Sequence, residues 1–312
     1  MDDLSTIVTV DEDVARELAT RTGDGPGPVL VHVVRGFVDA GNAGQGIAEH
    51  LVEHLQTQRL ATFDVDLLLD YRSRRPAMTF DGDHWAGYEE PELRVDVVRD
   101  GEDVPFLLLH GTEPDVQWER YVAAVRSLVE RFAVPLTVGV HGIPMGVPHT
   151  RPLGVTAHAT RSDLVADHTS WFGTVQVPAS VSALLEYRLG QSGHDAMGFA
   201  VHVPHYLAQS PFPRASQVAL EHVERATGLE LGSAALEAPA REALAEVERQ
   251  VAGSTEVEAV VRALEEQYDS FARAIERPNL LADQRDLPTA DEIGAEFERF
   301  LAQQQGGDGP ER

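Results

Sequence analysis

Near the start of the chain, the apolar positions first form a run of strand length and then recur at helical spacing. Residues 29–34 form an apolar-rich run of strand length, and a glycine-studded turn follows it. Apolar side chains then recur at helical spacing, at positions 47, 51, 52 and 55, which predicts a helix through Gln58. Asp39 or Asn42 is placed to cap this helix. A strand, a turn and a helix N-terminus form a site where an anion or a partner's carboxylate can bind.

The same alternation of strand and helix patterns continues to Gly232. Apolar or alternating runs predict further strands at 62–69, 78–80, 84–88, 93–99 (with one exposed face), 104–110, 135–140, 155–160 and 199–203. Helical spacing predicts helices at 10–22, 112–132, 181–189 and 215–227, with capping boxes at Thr9/Glu12 and Thr112/Asp115. Such an alternation is typical of a three-layer α/β/α domain around a mixed, largely parallel sheet.

Three regions follow from these patterns. Residues 1–24 are predicted to be an N-terminal extension, and residues 25–232 the α/β/α core domain. Residues 233–312 are predicted to be a C-terminal helical appendage with helices at 241–252, 255–276 and 290–304. The Gly-rich tail 306–312 is predicted to be disordered. The apolar faces of the last two helices need a surface to cover, either the core domain or another subunit.

Composition excludes several classes of function. Net charge is −26, and all 25 basic side chains are arginine, with no lysine and no cysteine. We therefore expect no nucleic-acid partner and no anionic membrane partner. A P-loop lysine, a Schiff-base lysine, a cysteine nucleophile and disulfides are excluded. The acidic start has no signal-peptide pattern and no run is long enough to span a bilayer, so a cytoplasmic location is predicted.

Catalytic and cofactor motifs are weak or missing. The glycines at 41, 44 and 46 give GxxGxG, which differs from the GxGxxG of a dinucleotide turn. The 13 histidines include no HExxH pair, and there is no GxSxG elbow. We therefore predict no cofactor, no metal and no catalytic residue. The favoured explanation of the glycines is that small residues let the helix pack close to the edge of the sheet.

Six polar segments follow or flank the predicted strands. They are GFVDAGNAG (36–44), YRSRRP (71–76), HGTEPDVQW (110–118), HGIPMGVPHTRP (141–152), WFGTV (171–175) and VHVPHYLAQSPFP (201–213). In this order and spacing the chain resembles the proteasome assembly chaperone 2 family, in its actinobacterial uncharacterised branch, over residues 29–231. The resemblance implies an α/β/α fold like that of nucleoside phosphorylases and hydrolases, and self-association. For eukaryotic and archaeal relatives it implies a scaffold that binds proteasome subunits.

Eight polar or aromatic side chains in these segments are candidates for one ligand or partner pocket. Because carboxyl ends of parallel strands gather at one edge of a sheet, we expect them to converge there. They are Asp39, Asn42, Glu113, Trp118, His149, Thr150, Arg151 and His205.

The favoured function is a non-catalytic, oligomeric protein-interaction or assembly-chaperone-like protein of unknown client, which the resemblance links to proteasomes. Self-association, with a trimer favoured, is predicted from the resemblance and from the apolar faces of the terminal helices. One alternative is a nucleoside- or phosphometabolite-binding protein, or a hydrolase- or phosphorylase-like enzyme, with arginine and backbone N–H groups as its phosphate clamp. Another is a self-assembling structural protein without a ligand.

Overall fold

A computed structural model describes residues 6–23, 25–36, 38–168 and 173–276. Eight strands form one sheet in the order β1-β3-β6-β7-β2-β8-β10-β9, and β4 and β5 form a separate two-stranded sheet. The strands are β1 (Val8–Val10), β2 (Leu30–Arg35), β3 (Gln56–Phe63), β4 (Met78–Asp81), β5 (His84–Tyr88), β6 (Leu93–Arg99), β7 (Pro105–Thr112), β8 (Thr137–Met145), β9 (Val155–Ala159) and β10 (Ala196–Pro204).

Helices cover both faces of the main sheet. They are α1 (Glu12–Thr22), α2 (Ala43–His54), α3 (Val65–Leu68), α4 (Trp118–Arg131), α5 (Val181–Gln191), α6 (Pro213–Thr227), α7 (Glu237–Ala252) and α8 (Thr255–Glu276). Within the described residues, none of them combines the length and apolar character that a membrane span requires.

Two apolar cores lie on opposite faces of the sheet. One core packs α1, α4 and α5 against side chains such as Leu30 and Leu109. The other packs α2 and α6 against side chains such as Val31 and Phe199. The central strands β2 and β7 bury alternate residues in opposite cores, as the two-residue period of a strand requires. The predicted three-layer α/β/α class with a C-terminal helical extension is confirmed.

The centre of the sheet positions the polar loops. Strands β7, β2, β8 and β10 are neighbours and run parallel, with Arg35 opposite Thr112 and Met145 opposite Pro204. The loops that follow these strands therefore begin at the same edge of the sheet, as expected for carboxyl ends in an open α/β fold. The antiparallel strands β6, β3 and β1 extend one side, and β9 ends the other.

Two predicted boundaries around α2 and β3 are wrong. Helix α2 ends at His54, and the strand predicted at 62–69 occupies Gln56–Phe63. Asp64 ends that strand because its side chain accepts the N–H of Asp66 at 3.1 Å and caps the short helix α3.

The predicted capping box of α4 is also wrong. Thr112 is the last residue of β7, opposite Arg35, and α4 begins six residues later at Trp118. Gln117 precedes the helix in a left-handed conformation (φ 58°). Thr112 is therefore hydrogen-bonded within the sheet, whereas the sequence pattern places it at the start of the helix.

Strands β6 and β8 differ from prediction in burial and in length. Strand β6 is largely buried rather than exposed on one face, because neighbouring strands flank it and both cores use its side chains. Strand β8 runs on to Met145, which shortens the predicted loop 141–154, because it stays paired with β10 as far as Pro204.

Residues of the predicted N-terminal extension contribute a strand to the main sheet. Val8–Val10 pair antiparallel with β3, and Ile7 is fully buried. Asp11, rather than the predicted Thr9, caps α1 by accepting the N–H groups of Asp13 at 3.0 Å and Val14 at 3.1 Å.

The chain divides into two units at a different place from the predicted 232/233 boundary. One unit runs from Met1 to Glu265 and the other from Glu266 to Arg312. Helix α7 belongs to the first unit, where Ala240 is buried and Leu244 packs against a core. Of the second unit the structure describes the last turns of α8. The helix predicted at 290–304 and the tail 306–312 lie outside the described residues, as do Trp171 and Phe172.

Candidate functional site

Asp39 caps α2 and fills the predicted anion position with the chain's own carboxylate. Its Oδ1 and Oδ2 accept the N–H groups of Gly44 at 2.9 Å and Gln45 at 3.0 Å. Oδ1 also accepts the N–H of Gly142 on β8 at 3.0 Å. Asn42 has a left-handed backbone (φ 52°) and makes no capping hydrogen bond. Between the two capping candidates the structure therefore selects Asp39, and a phosphate at this helix N-terminus would have to displace it.

A cleft of about 340 Å³ opens beside Asp39 and Asn42. Arg35, Gln45, Pro144 and Gln209 are among the other residues that line it. The cleft therefore lies at the carboxyl ends of β2, β8 and β10, where the sequence pattern placed a pocket. Asn42, Gln45 and the guanidinium of Arg35 are the polar groups that a ligand would meet.

Glu113 has a structural role at the end of β7. Its buried carboxylate accepts the N–H of Val181, the first residue of α5, at 2.8 Å. The main-chain carbonyl of Glu113 also accepts a hydrogen bond from Arg74. A Cβ on Gly36 would lie 1.7 Å from Glu113 Oε2, so the loop after β2 needs glycine there. Glu113 is not among the residues that line the Asp39 cleft.

Trp118 is part of the protein's framework. Its indole Nε1–H donates to the carbonyl of Pro114 at 2.7 Å, and the ring packs against the core beneath α4. The aromatic side chain therefore closes the turn before α4, which uses both its apolar body and its single donor.

The His149-Thr150-Arg151 segment contacts helix α8. Glu265 of α8 accepts a hydrogen bond from the Thr150 hydroxyl, and Arg151 Nη1 lies 3.4 Å from the same carboxylate. The phenol oxygen of Tyr206 accepts the N–H of His149 at 2.9 Å and lies 2.7 Å from its Nδ1. Two of these three pocket candidates, Thr150 and Arg151, thus already contact a carboxylate of the same chain.

Burial sets the protonation of this pair. Desolvation lowers the pKa of His149, and the nearby carboxylates of Glu248 and Glu265 oppose that shift. Desolvation also raises the pKa of Tyr206. The neutral forms of both side chains are therefore favoured. His205 is exposed, with its ring centroid 5.4 Å from that of Tyr206.

The eight candidates therefore form separate groups around one sheet edge. Asp39 and Asn42 line one cleft, and His149, Thr150, Arg151 and His205 surround Tyr206 and Glu265. Glu113 and Trp118 hold the turn between β7 and α4. A single pocket shared by all eight stays a prediction.

A buried charge network on β6 and β7 escaped the sequence analysis. Asp96 accepts hydrogen bonds from Arg94 Nε at 3.0 Å and from His110 Nε2 at 2.9 Å. Burial alone raises the pKa of Asp96, but the hydrogen bond from His110 and the charge of Arg94 outweigh it, and the pKa is lowered. The sequence signal of this network is the pair Arg94 and Asp96, two charged residues at alternate positions of an otherwise apolar strand.

Histidines also crowd the α5 face of the sheet. Burial lowers the pKa values of His32, His141 and His202 to about 4 each, so all three are neutral at pH 7. The ring of His32 lies over Gly139 and that of His158 over Gly198. His158 Nδ1 also lies 2.8 Å from Glu186 on α5. Within the described residues, however, no three histidine or carboxylate side chains are arranged to hold a metal ion.

Comparisons with known proteins place the chain among actinobacterial relatives. The PAC2 family model matches residues 33–251. The structure of a Mycobacterium tuberculosis protein of unknown function, Rv2714, has 47% identity, 96% coverage of each chain and a TM-score of 0.83. That of a Corynebacterium glutamicum protein of unknown function has 37% identity, covers 86% of this chain and 99% of that one, and gives a TM-score of 0.80.

A third structure shows the same fold at lower identity. It is the M. tuberculosis proteasome-assembly chaperone homologue Rv2125, at 24% identity, with 75% of this chain and 99% of that chain covered and a TM-score of 0.68. No curated protein matches the chain.

Proposed function

The chain belongs to the PAC2 family, and from this membership and from the geometry above we propose that it is a non-catalytic, oligomeric protein-interaction module with an assembly-chaperone-like role. Its loop motifs carried the resemblance to this family, which the match over residues 33–251 confirms. The family name implies proteasome subunits as candidate clients. Action in the cytoplasm is part of the proposal.

One observation carries the proposal against a catalytic role. The polar side chains that follow the parallel strands already bind groups of the same chain: Asp39 caps α2, Glu113 holds α5, and Thr150 and Arg151 contact Glu265. Carboxylates and cations that are engaged in this way build and rigidify loops. Such loops suit a surface that a partner recognises without chemical change.

The β4–β5 hairpin supplies a surface for protein contact. Met78 pairs with Tyr88 and Phe80 with Trp85, so these four side chains share one face of the hairpin. Each of them is at least half exposed, and the rings of Phe80 and Trp85 pack edge to face at 5.1 Å. A two-stranded hairpin is marginally stable by itself, and exposed apolar patches of this kind mark interaction sites.

Self-association into a trimer is the finer part of the proposal. An interface of roughly 1,200 Å² or more is needed for a stable complex, and it must offset repulsion between chains of net charge −26. The apolar hairpin face supports this, since it exposes four large apolar or aromatic side chains on one surface.

A purification from the native host tests the client. The tagged full-length chain is captured, candidate clients are identified by mass spectrometry, and each is purified and mixed with the chain for a binding titration. A saturable complex with an assembly intermediate of a larger machine is the expected result. Robust turnover of nucleosides or esters by the purified chain would overturn the non-catalytic assignment.

A further inference from the structure

Strand β9 leaves one side of its main chain without hydrogen bonds. The N–H of His202 donates to Gly154 O at 2.9 Å, and the N–H of Thr160 donates to Ala196 O at 2.8 Å. Because the direction of main-chain hydrogen bonds alternates along an antiparallel strand, the N–H and C=O groups of Thr156 and His158 also point toward β10. The N–H and C=O groups of Val155, Ala157 and Ala159 therefore point away from the sheet, and within the described residues no hydrogen bond to them is found.

This edge lacks the usual protection against strand addition. Natural edge strands are shortened, charged, bulged or interrupted by proline. The opposite edge, β1, has three residues, whereas β9 has five (Val155–Ala159), with no acidic or arginine side chain and no proline. The chain has a net charge of −26, but this edge carries no acidic side chain that would repel an approaching backbone.

A cleft of about 430 Å³ runs beside this edge, between β9 and α5. Small residues line much of it: Ala159, Ala183 and Gly190. The His158–Glu186 pair also lines it, and the Glu186 side chain is 17% exposed there. A groove between an edge strand and a helix is the arrangement in which proteins receive an extended peptide as an added strand.

We propose that β9 and α5 form a peptide-binding groove that accepts one extended segment of a partner protein as a ninth strand of the sheet. The segment bonds to the main chain of Ala157 and Ala159, which are partly exposed. Every second side chain enters the cleft, where Ala183 and Gly190 leave room for a small residue. Glu186 selects neutral or basic side chains there and disfavours acidic ones. This inference rests on the proposed protein-interaction function and names the surface that a client uses.

Ala157 offers a substitution specific to this site. Ala157→Pro removes an outward N–H, whereas the ladder to β10 uses its neighbours, and proline is tolerated on edge strands in this position. Ala157→Val keeps the N–H and is the matched control. Ala183→Glu adds a carboxylate to the cleft from the helix side without changing the strand.

The experiment uses a phage-displayed library of random ten-residue peptides selected on the full-length chain. Peptides recovered on this chain are expected to bind Ala157→Val normally and Ala157→Pro about tenfold more weakly, since a hydrogen bond of about 1–1.5 kcal/mol is lost. Ala183→Glu is expected to weaken them similarly, and acidic residues to be depleted from the selected sequences. Hydrogen exchange at Ala157 should slow when a selected peptide is added.

Several results would overturn the inference. If the selected peptides bind both Ala157→Pro and Ala183→Glu normally, they bind elsewhere on the chain. If no peptide is enriched over an empty support, the chain has no such peptide-binding groove. Loss of self-association in Ala157→Pro would mean that a second copy occupies the edge. Should Ala157→Pro unfold, Ala183→Glu alone decides. A client captured from the host whose affinity is unchanged by Ala183→Glu refutes the groove but leaves the proposed function intact.

Discussion

Asp39 and Gly142, 103 residues apart, are joined by a hydrogen bond from the Gly142 N–H to the Asp39 carboxylate at 3.0 Å. Gly142 must be glycine, because a Cβ there would lie 2.0 Å from the carbonyl oxygen of Ala40. The same carboxylate caps α2. One side chain therefore fixes the loop after β2 both to its own helix and to the neighbouring strand.

Replacing Asp39 with alanine should destabilise the protein by about 2–4 kcal/mol, because three N–H groups lose a charged acceptor. Asn42→Gly is the matched control in the same loop. It should be neutral or stabilising by about 1 kcal/mol, since Asn42 makes no cap and has a positive φ of 52°. Urea unfolding of both variants measures the difference, and equal losses would refute the assignment of Asp39 as the cap.

Inorganic phosphate and nucleosides should leave the thermal midpoint of the wild-type protein unchanged at millimolar concentrations. Asp39 occupies the helix N-terminus to which an anion would bind, and a phosphate there would meet the carboxylate's charge. Thermal scans with and without ligand provide the measurement. A concentration-dependent rise in the midpoint that Arg35→Gln abolishes would instead support a ligand site in the adjoining cleft.

Much of the fold was predictable from periodicity, and the errors have local causes. Helix α6 ends as predicted at Thr227, followed by Gly228, whose φ of 75° suits glycine. The strands predicted at 78–80 and 84–88 form the β4–β5 hairpin, joined through an Asp-Gly-Asp turn. The predicted start of α4 is too early. Thr112 and Asp115 have the spacing of a capping box, but Thr112 pairs with Arg35 as the last residue of β7.

The site was harder to predict because side-chain partners come from distant parts of the chain. Motifs located the loops after the parallel strands, but no pattern reveals that Glu265 binds Thr150 and Arg151 across 115 and 114 residues. Asp96 and His110 were missed for the same reason, since their contact depends on the register of β6 against β7. Sequence motifs thus identify the polar loops, whereas the pairing of side chains within them depends on the folded structure.

Gly139→Ala should destabilise the protein by about 1–3 kcal/mol through overpacking. A Cβ at Gly139 would lie 2.6 Å from Nε2 of the buried His32 ring. The double variant Gly139→Ala/His32→Ala should lose less than the sum of the single variants, because the second substitution removes the obstruction. Additive losses in a double-mutant cycle by chemical denaturation would show that the two positions do not interact.

Substituting the hairpin face should lower the mass of the assembly. We expect the wild-type chain to scatter light as a trimer of 34.0 kDa chains, and Phe80→Ser/Trp85→Ser to shift it toward one chain. Val104→Ser, also at an exposed apolar residue but outside the hairpin, is the control and should keep the wild-type mass. A mass of one chain for the wild type at every concentration would refute self-association.

Stability should fall steeply as the pH drops from about 6.5 to about 4. His32, His141 and His202 have folded pKa values of about 4, against 6.5 for an unhindered histidine, because burial disfavours their charged form. Between these values the unfolded chain binds more protons than the folded one, so the free energy of unfolding decreases as the pH falls. A shift of this size is worth roughly 3 kcal/mol per histidine.

Urea unfolding at pH 7.5, 5.5 and 4.5 measures this dependence, and His202→Gln tests its origin. The variant removes one buried proton-binding group, so its stability should change less with pH than that of the wild type, whatever its stability at pH 7.5. Asp96, whose pKa is lowered, adds acid sensitivity below the histidine window. A flat profile between pH 7.5 and 4.5 would mean that the histidines titrate normally in the folded protein, and that water reaches this face of the sheet.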